Sequence, residues 1–235
     1  MFNFLNFFEA WFDKLYKTFI EQDRYMMLVD GFKNTLIITV GALAIGVVLG
    51  TVVAIVKYFA EDKKALKPIK YICDFYVTAV RGIPVVVLLL IFYFVILKAA
   101  DGVVVGIITF GINSGAYMAE IVRGGILVVD KGQMEAGRSL GMSKMQTMWK
   151  IIFPQAIKNI LPAIGNEMIA LLKETSVAGY VAVTDLTRAG NLIRNNTYDA
   201  VNPLVAVALV YLLSVVLLTR LLSVFERRLR KSDKR

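Results

Sequence analysis

The sequence contains no histidine, and its single cysteine is Cys73. Without these ligands the chain cannot form the common His or Cys metal sites, an intrachain disulfide or a histidine-based catalytic triad. We therefore expect neither a bound metal ion nor hydrolytic catalysis by this chain. Charged residues are also scarce, since they make up 19% of the 235 residues, whereas soluble domains carry about a quarter.

Hydrophobic residues make up 57% of the sequence and lie in long runs without charge. Such runs occupy residues 34–56, 82–97, 102–119 and 200–219. A helix needs roughly 17–25 apolar residues to cross about 30 Å of hydrocarbon, and every run except the second is long enough. The second becomes long enough if its helix starts near Ile69 and includes Asp74 and Arg81. The pattern predicts an all-α membrane protein.

The basic residues predict how the chain is oriented in the membrane. Three clusters of Lys and Arg occupy residues 57–70, residues 131–158 and the tail from residue 220. Because such clusters mark the cytoplasmic side, an even number of crossings must separate them. This requires a further, weakly apolar span near residues 159–181, which gives five transmembrane helices, an N-terminus outside and a C-terminus in the cytoplasm. The net charge is +9, and the basic residues behind it lie in short segments beside the apolar runs. This placement is typical of a membrane protein, so we expect no nucleic acid as partner.

The N-terminal segment is predicted to lie on the outer membrane surface. Its apolar residues with helical spacing are Phe4, Phe8, Trp11 and Leu15. They share one face of a helix, which is typical of an interfacial amphipathic helix. An ordinary juxtamembrane segment is the alternative. We divide the chain into this segment (1–30), a transmembrane domain (31–228) and a basic cytoplasmic tail (229–235).

The loop between the third and fourth spans is predicted to form two short helices with a defined joint. Gly141 can adopt the left-handed conformation that ends a helix, and Ser143 with Gln146 has the spacing of a capping box. The second helix carries an apolar face at helical spacing, made of Met145, Met148, Trp149 and Ile152. Such a face suits docking into a groove of another protein. The alternative is that it packs on the spans of its own chain.

Several motifs resemble a known family. Glu135-Ala136-Gly137 is followed by Gly141 and by Ile151-Ile152-Phe153-Pro154, which resembles the "EAA" loop of permease subunits of bacterial ATP-binding-cassette (ABC) importers. Other motifs narrow the resemblance to permeases for polar amino acids of the histidine, arginine and glutamine type; they are Arg81-Gly82-Ile83-Pro84, residues 115–126, Pro154-Gln155-Ala156 and Leu161-Pro162. The resemblance covers roughly residues 31–228. Gly137 and Phe153 depart from it, because the family usually has Ala and Leu there.

The resemblance implies a multi-pass permease subunit in the bacterial plasma (inner) membrane that translocates a polar, even a basic, amino acid by alternating access. The implied partners are a second permease subunit, identical or homologous, two ABC ATPase subunits and an extracytoplasmic amino-acid-binding protein. No Gly-x-x-x-x-Gly-Lys-Ser/Thr loop occurs in the sequence, so ATP and Mg are expected on the ATPases and no cofactor on this chain. The residues expected to couple to the ATPases are Glu135, Ala136, Gly137, Ser139, Leu140, Gly141, Met145, Met148 and Trp149.

Polar residues inside the spans are candidates for the substrate path, because ionisable groups are costly in lipid. Glu167 and Glu174 are seven residues apart and share one face of the fourth span. Pro162 and Gly165 precede them, which predicts a kink that frees backbone carbonyls. Pairing of both carboxylates with Arg or Lys from neighbouring helices is the alternative.

The third and second spans contribute further candidates. Asn113, Tyr117 and Glu120 form a polar stripe on the third span, in which Glu120 is expected to pair with Arg123. Arg81 could hold a substrate carboxylate, although a buried pair with Asp74 or Glu120 is the safer interpretation. The predicted path residues are thus Glu167, Glu174, Asn113, Tyr117 and Arg81.

Two other classes of protein compete with an ABC permease. A secondary transporter or channel would work without ATP, and the capped, Met-rich loop speaks against it. A noncatalytic membrane scaffold rarely tolerates two carboxylates on one face of a span that contains proline.

Overall fold

The computed structural model describes residues 4–60 and 64–231, and every regular element in these two stretches is helical. The helices are α1 (Phe4–Leu15), α2 (Tyr25–Ala60), α3 (Lys67–Gly82), α4 (Val85–Ile91), α5 (Gly102–Leu127), α6 (Lys131–Ser139), α7 (Lys144–Thr147), α8 (Phe153–Glu174), α9 (Leu186–Thr197) and α10 (Asn202–Lys231). Single π or 3₁₀ turns extend several of them. Lys63, Lys234 and Arg235 of the predicted basic clusters lie outside the described residues.

Three helices of the described chain are long and apolar enough to cross a membrane, namely α2, α5 and most of α10. Helix α3 and helix α4, the latter with its π-helical turn, are together long and apolar enough to cross as one bent unit. Counting this unit gives four candidate spans. Helix α8 coincides with most of the predicted fourth span but ends at Glu174 and continues as a 3₁₀ segment to Val181. The described residues therefore contain three or four candidate spans by length and composition.

The second predicted span is not the straight helix that we expected. It bends by 106° between Lys67–Gly82 and Val85–Ile96. Pro84 is the cause, because its ring pushes the preceding residue out of the helical region. Ile83 accordingly has φ −97° and ψ 129°, and Pro84 starts the next helix as its N-cap residue. The prediction of one continuous helix over residues 69–97 was wrong.

Helices α2 and α5 approach each other closely along their glycine residues. A Cβ atom on Gly46 would lie 2.7 Å from the Ser114 Oγ atom. A Cβ atom on Gly50 would lie 2.7 Å from the Gly115 carbonyl oxygen and 2.7 Å from the Ala119 amide nitrogen. All three distances are shorter than van der Waals contact, so only glycine permits this separation of the helix axes.

The chain after α8 is hydrogen-bonded to the N-terminal half of α2. The Thr35 Oγ1 atom accepts a hydrogen bond from the Leu186 amide, and Asn34 Nδ2 donates to the Thr184 carbonyl. Asp185 is fully buried and caps α9, where its carboxylate accepts hydrogen bonds from the backbone amides of residues 187 and 188. Burial raises the pKa of Asp185 in spite of these hydrogen bonds. The α9 helix is thereby fixed against α2.

Helix α8 continues through Pro162 without a break. Asn166 Nδ2 donates a hydrogen bond of 3.2 Å to the Pro162 carbonyl. Gly165 is placed against the Leu222 side chain of α10, where an added Cβ atom would be 3.0 Å from the Leu222 Cδ2 atom. Gly165 therefore allows close contact with α10, and the predicted kink does not interrupt the helix.

The predicted N-terminal helix is present as α1. The Trp11 side chain is exposed and Leu15 is half-buried. The side chains of Phe4 and Phe8 lie outside the described part of the structure. A π turn, Tyr16–Ile20, follows α1 and brings the buried residue Thr18 against the chain after α9.

A substitution at Gly50 tests whether the fold depends on the close approach of α2 and α5. Gly50→Ala should lower stability by about 1–3 kcal/mol, because the new methyl group meets backbone atoms that cannot rotate away. Gly124→Ala on α5 is the control, since nothing lies within 4 Å of an added Cβ atom there. Thermal unfolding of the detergent-solubilised protein measures both. Equal melting temperatures for the two variants would contradict this account.

Candidate functional site

The joint between α6 and α7 has the geometry that its sequence predicts. Gly141 has φ +79°, the left-handed conformation that ends α6. The Ser143 Oγ atom accepts a hydrogen bond of 3.2 Å from the Gln146 amide, and the Ser143 amide donates one of 2.8 Å to the Gln146 Oε1 atom. These reciprocal bonds form a capping box. The helix–joint–helix structure is therefore specified by local contacts.

The predicted Met-rich face divides into two parts. Met148 and Ile152 are buried, and they pack in one cluster with Val122, Ile126 and Ala156 of the neighbouring helices. Met145 and Trp149 remain about half exposed, and the Trp149 indole N–H lies 3.1 Å from the Met145 sulfur. Met148 and Ile152 therefore follow the alternative of packing on the spans of their own chain, which corrects the predicted coupling role of Met148, whereas docking of Met145 and Trp149 stays a prediction.

Gly137 is buried between α6 and the residues that follow the joint. An added Cβ atom there would lie 2.5 Å from the Thr147 Cγ2 atom and 2.9 Å from its Oγ1 atom. Thr147 is fully buried, and its hydroxyl donates to the Ser143 carbonyl. Thr147 thus occupies the space that a side chain at residue 137 would need, which explains why this position departs from the motif of the resembling family.

Seven predicted coupling residues stay exposed on this segment; they are Glu135, Ala136, Ser139, Leu140, Gly141, Met145 and Trp149. Leu140 is the most exposed of the apolar ones, with 80% of its surface accessible. Gly137 and Met148 are buried instead. The segment therefore presents an apolar surface on a base that is held firmly by its own chain.

Glu167 and Glu174 are half-buried on α8 and face α5. Ser114 Oγ donates a hydrogen bond of 2.9 Å to Glu167 Oε1, and Asn113 Nδ2 donates one of 3.3 Å to Glu174 Oε2. No Lys or Arg of the described chain lies within 4.0 Å of either carboxylate. Neither carboxylate therefore forms a salt bridge within the described chain, although Arg81 attracts Glu167 and Lys173 attracts Glu174 from a longer distance.

A cavity of about 530 Å³ opens between α2, α3 and α5. Its lining residues are Lys57, Asp74, Val77, Thr78, Arg81, Gly82, Tyr117 and Glu120. The Arg81 guanidinium lies over the Tyr117 ring, 4.9 Å from its centroid. This distance is typical of a cation–π contact. Arg81 has no carboxylate within 4.0 Å among the described residues, so its charge remains available at the cavity wall.

An ion-pair network forms part of the wall of this cavity. Lys57 Nζ lies 2.9 Å from Asp74 Oδ1 and 2.9 Å from Glu120 Oε1. Each carboxylate also has a local partner, since Lys70 is 3.1 Å from Asp74 and Arg123 is 2.7 Å from Glu120. The predicted pair of Glu120 with Arg123 is confirmed. The predicted pairing of Arg81 with Asp74 or Glu120 was wrong, because Lys57 takes that position.

The structure separates the predicted path residues into two groups. Arg81 and Tyr117 line the cavity, whereas Asn113, Glu167 and Glu174 form hydrogen-bonded pairs between α5 and α8. Sequence reasoning missed Ser114 and Lys57. The glycine that follows Ser114 could have indicated the close helix contact at its position. Lys57 was counted only as one member of a basic cluster, although it lies at the end of an apolar helix where it can reach acidic neighbours.

A family model described as "Binding-protein-dependent transport system inner membrane component" matches residues 46–231 of this chain. The chain belongs to this family. The match includes the α6–α7 joint, both glutamates of α8 and the ion-pair network described above.

Curated relatives agree with this assignment. The chain is 38% identical over 213 residues to the probable glutamine ABC transporter permease protein GlnM of Bacillus subtilis (strain 168), with 89% of this chain and 96% of the relative covered. It is 35% identical over 210 residues to the arginine transport system permease protein ArtQ of the same organism, with 88% and 94% covered. The glutamine transport system permease protein GlnP of Escherichia coli (strain K12) is 34% identical, with 87% and 93% covered.

Solved structures show the same fold. A crystal structure of an amino acid ABC transporter with histidines matches with a TM-score of 0.82 and 39% identity, covering 89% of this chain and 98% of that one. An inward-facing structure of the MetNI methionine ABC transporter matches with a TM-score of 0.76 at 23% identity, over 87% and 96% of the two chains. At that identity the second match shows the fold alone.

Family membership places the chain in the inner membrane as the permease subunit of an ABC importer. ATP hydrolysis belongs to a separate subunit of such importers, so the chain is not itself an enzyme. Members of the family work in general with ATPase subunits, a second permease and a binding protein. The rival interpretations of an ATP-independent transporter or a scaffold are not favoured by these matches.

Proposed function

We propose that this permease translocates a polar amino acid into the cell by alternating access. Relatives that cover nearly the whole chain are named as glutamine and arginine permeases, which supports this substrate class. The resemblance of the α6–α7 segment to the "EAA" loop supports coupling to two ABC ATPases that bind ATP and Mg. A second permease subunit and an extracytoplasmic binding protein complete the assembly that we infer.

The observation that carries the substrate path is a set of three charged groups that form no salt bridge within the described chain, although Arg81 attracts Glu167 from a longer distance. Arg81 has no carboxylate within 4.0 Å, and Glu167 and Glu174 have no cation within that distance, among the described residues. Unpaired charges are expensive in a low-dielectric site, so a ligand that supplies the missing partners is bound favourably. Arg81 is suited to a substrate carboxylate. Glu167 and Glu174 are suited to an ammonium group and to a cationic side chain.

This inventory ranks possible substrates. A basic amino acid carries one anionic and two cationic groups, which match Arg81 and the two glutamates. A neutral polar amino acid leaves one glutamate with its neutral donor, Asn113 or Ser114. An acidic amino acid brings a second anion toward two carboxylates and is repelled. We therefore infer import of a basic amino acid first and a neutral polar one second, with Asn113 and Tyr117 as uncharged contacts.

We further propose five crossings formed by α2, the bent α3–α4 unit, α5, α8 and α10. Helix α8 then crosses as a polar span, shielded by α5 and α10 on the faces where it packs. The N-terminus is outside and the C-terminus is cytoplasmic. In this arrangement residues 1–30 lie at the outer surface, residues 31–228 form the transmembrane domain and residues 229–235 are a cytoplasmic tail. Basic clusters at the cytoplasmic ends of the spans support this arrangement.

Replacing Glu167 with Gln tests the substrate path, because it removes the charge and keeps the shape. Uptake of a basic amino acid should fall between about tenfold and about a thousandfold, since an ion pair at 4 Å is worth up to about 4 kcal/mol near a protein surface and each step of about 1.4 kcal/mol corresponds to tenfold. Uptake of a neutral polar amino acid should fall less. The measurement is transport into proteoliposomes, together with ATP hydrolysis at saturating binding protein.

Glu226→Gln on α10 is the matched control, because it makes the same chemical change away from the cavity and from α5. It should transport like the wild type. If Glu167→Gln also leaves uptake and substrate-stimulated ATP hydrolysis unchanged, Glu167 is structural and the proposed path is wrong.

Gly141→Arg tests the coupling role of the α6–α7 segment. The position has room for a side chain, since nothing lies within 4 Å of an added Cβ atom. The arginine would project from the exposed joint and separate the segment from the ATPase. Uptake should be lost, and the amount of copurified ATPase should drop about tenfold, while insertion into the membrane stays normal.

Gly141→Asn is the control for backbone strain, because asparagine tolerates the left-handed conformation and is small. It should retain most of the uptake. Normal transport and normal ATPase copurification in the Gly141→Arg variant would show that the joint does not contact the ATPase.

Cysteine labelling tests the proposed orientation in a Cys73→Ser background. A cysteine in place of Ala10 should react with a membrane-impermeant maleimide from outside. Cysteines in place of Ala65 or Ser232 should react only after permeabilisation, because both lie in the basic segments that stay in the cytoplasm. Labelling of residue 232 from outside intact cells would refute five crossings.

A further inference from the structure

Lys57 connects three helices that surround the cavity. It lies near the end of α2, and its side chain is only 11% exposed. Its Nζ atom is 2.9 Å from Asp74 Oδ1 on α3 and 2.9 Å from Glu120 Oε1 on α5. Lys70 and Arg123 reach the same two carboxylates as neighbours on the same helix. Lys57 reaches them from a different helix, so it connects α3 to both α2 and α5.

Helices α2 and α5 form the rigid side of this connection. A Cβ atom on Gly50 of α2 would lie 2.7 Å from the Ala119 amide nitrogen of α5. Backbones in such close contact cannot shift against each other without a large rearrangement, because protein interiors are packed with little free space. Glu120 directly follows Ala119 in the sequence. The ion pair of Lys57 with Glu120 therefore lies within one rigid unit.

Helix α3 is attached to this unit by side chains. Val77 and the half-buried Tyr76 pack on α2 and α5, and the Tyr76 hydroxyl donates a hydrogen bond to the Ile112 carbonyl. The chain bends by 106° after α3, and no described atom lies within 4 Å of a Cβ atom added to Gly82 at this bend. Side-chain contacts can rearrange, and residues at the end of a helix can absorb a change of direction. Helix α3 is therefore the side of the connection that can move.

The position of α3 also determines where Arg81 lies. Asp74 and Arg81 are seven residues apart on α3, so they share one face of the helix and are separated by about 10 Å along its axis. Both residues line the cavity, and the Arg81 guanidinium lies 4.9 Å from the centroid of the Tyr117 ring on α5. A movement of α3 changes the position of Arg81 relative to α5. The ion pair of Lys57 with Asp74 opposes that movement.

We propose that Lys57 is a positioning residue of the transport cycle, and that its ion pair with Asp74 holds α3 in the arrangement described here and breaks when α3 moves. Lys57 then stays with Glu120, and Asp74 stays with Lys70. The ion pair restrains α3 until substrate and ATP supply the free energy for the movement. This inference rests on the proposed function, because it gives the ion pair a part in alternating access.

Lys57→Met tests this restraint, because methionine is similarly long and carries no charge. Asp74 keeps Lys70 and Glu120 keeps Arg123 in this variant, so neither carboxylate is left alone and the protein should fold. The measurement is ATP hydrolysis by the complete reconstituted importer. Without binding protein, the rate should rise about fivefold, as expected when a partly exposed ion pair is lost. The stimulation by substrate-loaded binding protein should shrink accordingly.

Asp74→Asn should have the same effect, because it removes the other partner of the same ion pair. If one bond is responsible, the double variant with Lys57→Met should raise the basal rate no further than either single change. Lys57→Arg restores the positive charge, so it should restore the low basal rate.

Lys70→Met is the matched control, because it removes the cation that pairs with Asp74 from the same helix. It should keep the basal rate of the wild type. An unchanged or lower basal rate in Lys57→Met, whatever its melting temperature, overturns the proposal and leaves Lys57 a structural role. An equal rise in Lys70→Met, or additive effects of Lys57→Met and Asp74→Asn, also overturns it. A wild-type importer whose ATP hydrolysis does not respond to binding protein would instead refute the proposed function.

Discussion

The close approach of α2 to α5 is the constraint on which the rest of the structure depends. Gly46 and Gly50 remove side chains where α2 would collide with Ser114 and with the backbone around Ala119. This contact determines which face of α5 is left for α8. Ser114 and Asn113 then meet Glu167 and Glu174, and Glu120 meets Lys57 at the end of α2. Both the uncharged donors and the ion-pair network are positioned by the same helix pair.

The two polar regions of the permease differ in how their charges are compensated. Lys57 lies 2.9 Å from both Asp74 and Glu120, and Lys70 and Arg123 add further positive charge, so that region needs no ligand to be stable. The half-buried carboxylates of Glu167 and Glu174 accept hydrogen bonds from neutral donors, and Arg81 and Lys173 act on them only from beyond salt-bridge distance, which compensates their charge incompletely. Without a bound ligand, such an arrangement costs free energy. In the substrate path that we propose, an entering cation makes it favourable.

How far the sequence predicts this molecule depends on whether a contact is local. The Gly141 joint and the Ser143–Gln146 capping box involve neighbours along the chain, and both were predicted correctly. The bend at Pro84 also has a local cause, the proline itself. It was not predicted, because Pro84 lies within an uncharged hydrophobic run that was interpreted as part of one helix. The bond from Ser114 to Glu167 joins residues far apart in sequence, as does the bridge from Lys57 to Asp74. No periodicity within one helix contains that information, so it required the packed structure.

The arrangement of the ion-pair network has a consequence for movement of the helices. Asp74 forms an ion pair with Lys70, one turn away on the same helix. Glu120 likewise forms an ion pair with Arg123 on its own helix. If α3 moves away from α2 and α5, each carboxylate retains a local cation, and Lys57 can remain with Glu120. Separation therefore leaves neither carboxylate unpaired, which avoids the large penalty of breaking an isolated buried pair. A cavity wall built in this way can open and close with a small electrostatic cost, as alternating access demands.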